Sequence, residues 1–266
     1  MQLIKRFTGD IYNNRKVILS LALNDFKMKY AGSYLGIIWA FIQPIMTILV
    51  YWFVFQVGFR SGSVEKVPFI LWFMSGLIPW FFFSEALTSA TNCFFEYSYL
   101  VKKVLFKISI LPIVKIASSL IVHLFFVGVM ILVFALYGVY PSIYTFQLFY
   151  YVFCLVFVTV ALSYITSSIV IFTKDFGQII GIILQFGMWF TPIMWNYKML
   201  SENWRWLFKI NPMYYIVEGF RDAMFNNIWF WEKWNETLWF WDISLIYFVL
   251  GFIAFKKLKP HFSDVL

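Results

Sequence analysis

Apolar runs of membrane-crossing length dominate this chain and leave few folds open to it. They lie at 34–59, 68–95, 110–139, 143–173, 177–197 and 238–255, and each reaches the roughly 20 residues that an α-helix needs to cross about 30 Å of hydrocarbon. Strict alternation of apolar and polar residues is absent from them, which argues against outer-membrane strands. Composition agrees: 62% of the residues are hydrophobic, 24% are Phe, Trp or Tyr, and 13% are charged, against about a quarter charged in a soluble domain. The expected fold is an all-α membrane protein, a bundle of six transmembrane helices.

The first apolar run begins only after Tyr30, behind a polar lead without a small-residue cleavage site, so the N-terminus is expected to stay in place. Cys93 and Cys154 lie in or beside apolar runs, where a thiol behaves as a small hydrophobe, and no disulfide framework is implied.

Lysine and arginine set the expected orientation. If both termini and the loops at 96–109 and 174–176 share one side, and Lys115 snorkels to it from just inside the third span, that side carries 14 bases and five acids, while the other carries seven of each. Both termini are therefore expected in the cytoplasm. The net charge of +8 is read as this topological bias, since the bases flank spans instead of covering one soluble face. No nucleic-acid partner is expected.

Four segments between the spans carry further information. Leu19, Leu23, Phe26 and Tyr30 recur at helical spacing beside Ser20, Asn24 and Lys27, with Asp25 placed to pair with Lys29. A helix lying in the membrane interface is predicted, and both a plain lipid anchor and a partner-docking element fit it. The stretch from Glu96 to Ser109 reads as a short amphipathic cytoplasmic helix, with Tyr97, Val101 and Leu105 on one face and Lys102, Lys103 and Lys107 elsewhere. Thr173 to Gln178 is a short charged turn holding Lys174 and Asp175. In the external stretch from Tyr197 to Trp234, Asn211 is a predicted N-cap and Pro212 the first helical residue. Glu218 is placed there to reach Arg221, or Asp222 to flank it. The tryptophans around this segment suit the headgroup level, either as a helical hairpin in the outer leaflet or as a simple aromatic belt.

Within the spans, Glu85 needs a partner or a cavity, and Lys115 is the predicted partner. That pair is read either as a structural tie between two helices or as a substrate contact. His123 reads as an interhelical hydrogen-bonding residue. The spacings Gly32 to Gly36 and Gly177 to Gly181 match a close-packing motif. Pro44, Pro79, Pro112 and Pro192 are expected to kink or break helices. No Gly-x-x-x-x-Gly-Lys phosphate loop and no metal-ligand cluster is present, so an energy source would lie in another chain. No cofactor, metal or catalytic residue is expected.

Taken in order, "NDFKMKYAGSYLGIIWAFIQP", "YLVKKVLFKISILPI", "KDFGQIIGIILQFGMWFTPIMW" and "INPMYYIVEGFRDAMF" resemble the permease subunits of ABC transporters that export bacterial cell-surface polysaccharides. That family covers O-antigen, capsule and wall teichoic acid exporters. The resemblance divides the chain into a cytoplasmic lead with an interface helix, 1–33, and an ABC type-2 transmembrane domain, 34–266. It implies a multi-pass protein of the bacterial plasma (inner) membrane, two permease copies about a central pore, and two separate ATPase subunits that bind ATP and Mg. Its cargo would be a polymer on an undecaprenyl-diphosphate carrier.

By the same resemblance, Leu23, Asp25, Lys27 and Lys29 meet the ATPase through the interface helix. Glu96, Tyr99, Lys102 and Lys103 belong to a coupling helix, and Lys174 with Asp175 to a second contact. The segment after Pro192, with Pro212, Glu218 and Arg221, looks like external gate helices. The first and fifth spans would line the pore. An uncharged or weakly charged glycan needs aromatic platforms on which apolar sugar faces slide; the candidates are Tyr34, Trp39, Tyr51, Trp52, Trp189, Phe190 and Trp195, with packing or lipid contact as their alternative roles. Lys16, Lys27 and Lys29 could attract the carrier diphosphate, though positive-inside bias explains them equally well.

Two other readings remain at this stage. One is an ABC type-2 exporter of a lipid or drug. The other is an integral-membrane glycosyl or acyl transferase, which would gather Asp, Glu or His at one interface, whereas the acids here are scattered.

Overall fold

The computed structural model describes residues 9, 11–60, 62–64, 67–101 and 107–265. The helices used below are α1 (Arg15–Lys29), α2 (Trp39–Trp52), α3 (Phe69–Thr91), α4 (Leu111–Leu136), α5 (Leu148–Val170), α6 (Asp175–Phe190), α7 (Glu202–Lys209), α8 (Pro212–Arg221) and α9 (Trp234–Leu258). Short helical turns extend several of them, so the apolar helical stretches run Gly36–Gly58, Phe69–Thr91, Ile108–Leu136, Ile143–Val170 and Trp234–His261.

These five are long and apolar enough to cross a membrane. The sixth expected span is shorter: α6 has 16 residues, about 24 Å at 1.5 Å per residue. It ends at Phe190, and Thr191 and Pro192 follow in a turn. The apolar count to 197 included residues that have left the helix. Pro44 and Pro79 lie inside continuous helices, whereas Pro112 sits in the first turn of α4, where its missing N–H costs nothing.

The centre of the bundle is α3. Its residues are apolar all round, as a helix enclosed on every side requires, and almost every one is buried. It packs on α4, α5, α6 and α8, while α5 packs on α9. Cys93 and Cys154 are buried free thiols. In contrast, α2 buries only Ala40 and Ile48, and α6 only Ile180 and Leu184.

Side-chain contacts sort the loops into two ends. At one end, Phe94 packs on Phe255 and Phe262, and Lys174 lies 5.8 Å from the Phe95 ring. At the other, Gln147 donates to the Ile228 carbonyl (2.7 Å) and accepts from the Phe230 amide (3.1 Å). The first is called the basic end, the second the aromatic end.

Of the two glycine spacings, Gly177 packs within van der Waals reach of Asn92 and Val170, whereas Gly181 stands in open space. Gly32 and Gly36 adopt left-handed φ values of 89° and 52° with open space around them, making the joint between α1 and α2. The closest helix approaches are at Gly219, where a Cβ would stand 2.0 Å from the Tyr151 ring, and at Gly251, where it would stand 2.6 Å from the Ala161 carbonyl.

Candidate functional site

Three of the expected charges meet at the basic end. Lys115, near the start of α4, places Nζ 2.5 Å from Asp25 Oδ1 on α1 and 2.5 Å from Glu96 Oε2. Tyr97 donates its hydroxyl to the same Asp25 oxygen at 2.8 Å. Burial and the Asp25 bond both push the Tyr97 phenol pKa up, so it stays a donor. Asp25 and Lys115 are buried; Glu96 keeps half its surface.

Two expected pairings are thereby exchanged. Asp25 does not pair with Lys29, and Lys115 does not pair with Glu85. Lys29 instead bonds Glu85, with both partners substantially exposed, and Ser89 also donates to Glu85 at 3.1 Å. The reason is the phase of α1: Ile18, Ala22 and Asp25 form its inward face against α4, which aims Asp25 at Lys115, while Lys29, one turn on, reaches α3. Leu19, Leu23, Lys27 and Met28 point outward.

In the described part of the predicted coupling helix, Glu96 ends a short turn, Cys93–Glu96, and Ser98–Val101 forms another. Asn92 ends α3, and Tyr97 closes the first of these turns. Val101 is buried and Tyr99 exposed, as a two-faced segment requires. Lys102, Lys103 and Leu105 lie outside the described residues. Lys174 and Asp175 are exposed at the start of α6. The same segment touches α1 through Tyr97, α4 through Glu96, the α6 entrance through Phe95 and the C-terminal turn through Phe94.

Of the aromatic candidates, Tyr34, Trp39, Trp189 and Phe190 are exposed. Tyr51 is half-buried with its ring 5.6 Å from Phe73, and Trp52 is half-buried too. Phe190 stacks on Phe208, and Trp195 meets that ring edge-on while donating to the Trp189 carbonyl at 2.9 Å. The candidates on α2 and α6 therefore belong to the two helices whose apolar faces are least covered.

At the aromatic end, the expected start of α8 is present. The Asn211 side chain accepts from the Met213 amide at 3.0 Å and donates to Thr191 at 2.9 Å, which ties the entrance of α8 to the break after α6. Every residue of α8 is buried, so it inserts among α3 and α5 instead of lying on the surface. Arg221 donates to Glu218 at 2.6 Å and to the Ile193 carbonyl at 3.3 Å, and its guanidinium lies 3.7 Å over the Trp72 ring. Beyond it, Asp222 bonds Lys233, and Asn227 turns left-handed with φ 56°. Trp204, Trp206, Trp231, Trp234 and Trp239 remain exposed, while Trp229 stacks on Trp231 at 4.4 Å.

A family model described as "ABC-2 type transporter" matches residues 16–225. The chain belongs to the ABC-2 type transporter family. The match runs from α1 through the turn after α8, so this ABC-2 subunit has its basic-end cluster, both exposed helices and the inserted helix within the family region. A Klebsiella pneumoniae protein named O-antigen export system permease protein RfbA is 24% identical over 257 residues, covering 94% of this chain and 95% of the relative. A second Klebsiella pneumoniae protein of that name is 23% identical over the same span. A Myxococcus xanthus protein of the same name is 25% identical over 224 residues, 84% of this chain and 85% of the relative.

The ABC-2 subunit also holds features that the sequence reading missed. Trp72 under Arg221 and Tyr97 under Asp25 carried no local signal, because their partners lie far along the chain. His123 is buried with its ring 4.9 Å from Phe82 and 6.2 Å from Phe220. Its ring packs on neighbouring helices, and the polar group it faces is the backbone of Ile78 on α3, short of full hydrogen-bond geometry.

Proposed function

We propose that this chain is the permease subunit of an ATP-driven exporter that carries lipid-linked cell-surface polysaccharide out of a bacterial cell. The observation that carries this reading is its likeness, over 94% of its length, to proteins named O-antigen export permeases. The reading places the protein in the plasma membrane with the basic end in the cytoplasm, α6 and the turn after it completing a sixth crossing, and α7 and α8 forming the external gate. Two copies pair so that the sparsely buried faces of α2 and α6 meet a partner and a pore. Trp39, Trp189 and their neighbours supply platforms for sugar faces there.

Separate ATPase subunits bind ATP and Mg and press on the basic end through the exposed side of α1, the segment around Tyr99, and Lys174 with Asp175. Lys115 bonds both α1 and Glu96, so a push on either element reaches α4 through one side chain. Depletion of the protein in its host tests the reading. Finished polymer is expected to build up on its lipid carrier at the cytoplasmic face. Unchanged glycans beside an accumulating lipid or drug would replace the cargo and leave the transporter class standing.

A further inference from the structure

A cavity of about 300 Å³ lies between the end of α1, the first half of α2, α3 and α4, with Met188 of α6 at its edge. Its mouth at the basic end is the Lys29–Glu85 pair, whose side chains are 39% and 49% exposed. Along α3 the lining runs from Glu85 back to Ile78, seven residues or about 10 Å of helix rise. At that depth stands His123, 3% exposed. Neither of its ring nitrogens makes a hydrogen bond of full geometry. The backbone of Ile78 is the polar group it addresses, and one backbone group can serve one nitrogen at most. The other nitrogen is left over, and a buried polar group without a partner is unfavourable.

The lining says what chemistry would satisfy it. Imidazole in its neutral form offers one donor and one acceptor, and a serine hydroxyl offers both; Ser118 and Ser119 line the same wall. The charges at the mouth neutralise each other, so the interior holds no surplus cation for a phosphate. A hydrocarbon chain would leave His123 as it is. Trp39 and Trp80 add flat apolar surfaces. Donor–acceptor edges between flat apolar faces match a sugar ring.

We propose that this cavity is a binding site for one glycosyl unit of an amphiphile entering from the basic end, with His123 and Ser119 taking its hydroxyls. The site is formed within a single copy of the chain, and Trp39 and Gln43 connect it to the exposed face of α2. An exposed ion pair is weakly held, so the Lys29–Glu85 mouth opens at little cost. The inference rests on the glycan-export reading for its ligand class.

Histidine labelling tests it, because the chain contains two histidines, His123 and His261. The full chain in lipid nanodiscs, labelled with ¹⁵N in its imidazoles, gives two ring systems that His261→Gln assigns. Titration with n-octyl β-D-glucoside below its micelle concentration is expected to shift the His123 nitrogens saturably, whereas n-octyl phosphate, with the same chain, leaves them unmoved. Ser119→Phe, which fills the cavity, is expected to abolish the shift; Ser118→Leu serves the same purpose if that variant does not fold. Equal shifts with both amphiphiles, no shift with either, or a shift that survives both fillings would overturn the site. Polymer export by a chain whose His123 ignores the glucoside would remove the site alone, while unchanged glycans after depletion would remove the export reading.

Discussion

Lys115 Nζ lies 2.5 Å from Asp25 Oδ1, joining residues ninety positions apart. Both side chains are at most one-tenth exposed. Removing one member of such a pair strands the other charge, which typically costs about 3–5 kcal/mol. Lys115→Met is therefore expected to destabilise the purified protein by about that amount in chemical or thermal unfolding. Adding Asp25→Leu should recover much of the loss, because an apolar pair of similar volume replaces a desolvated one. A double variant no more stable than Lys115→Met would show that the two residues do not act as a pair.

The second ion pair behaves differently. Lys29 and Glu85 are both substantially exposed, and pairs of this kind contribute about 0–1 kcal/mol. Glu85→Gln should unfold within about 1 kcal/mol of the parent. A loss comparable with that of Lys115→Met would contradict the exposure seen at this site.

Arg221 combines a buried carboxylate partner, a backbone carbonyl and an aromatic face. Arg221→Lys keeps the charge but loses the planar guanidinium that stacks on Trp72 and forks to two acceptors. Both Arg221→Lys and Arg221→Met are expected to lower stability, with Met worse by the stranded Glu218, about 3–5 kcal/mol in all. Rescue of the parent melting behaviour by lysine would show that charge alone matters there.

Gly219 lets α8 approach α5. A Cβ at this position would meet the Tyr151 ring at 2.0 Å, and overpacking of this kind costs typically about 1–3 kcal/mol. Gly219→Ala should destabilise, and Tyr151→Leu in the same chain should relieve part of the clash. Additive losses in the double variant would place the strain elsewhere.

Loss of polymer export in Trp39→Ala and Trp189→Ala, at unchanged membrane abundance, is the expected result for an aromatic track on α2 and α6. Normal export in both would remove the track.

How far the sequence could be read depended on the distance over which each signal acts. The long apolar runs predicted the positions of the spans because lipid imposes length on every helix that crosses it. Asn211, Pro212 and the Glu218–Arg221 pair were legible because capping and i,i+3 contacts act within one turn. The partners of Asp25 and Glu85 were not. They depend on the rotation of α1 against α4 and α3, which apolar content leaves undetermined when nearly every face is hydrophobic. The end of α6 was missed for the same reason, since the residues after Phe190 stay apolar although the backbone turns. Trp72 under Arg221 is a meeting of distant segments, and no local pattern announces it.

Reconstitution tests the central claim most directly. The full chain and the ATPase of its host are placed in vesicles carrying lipid-linked glycan in the leaflet that faces the ATPase, and transfer of glycan to the opposite leaflet is followed by protection from an added glycosidase. The account predicts protection that requires ATP and Mg and disappears when this chain is omitted. Glycan that stays accessible, while another lipid in the same vesicles crosses with ATP, would contradict it.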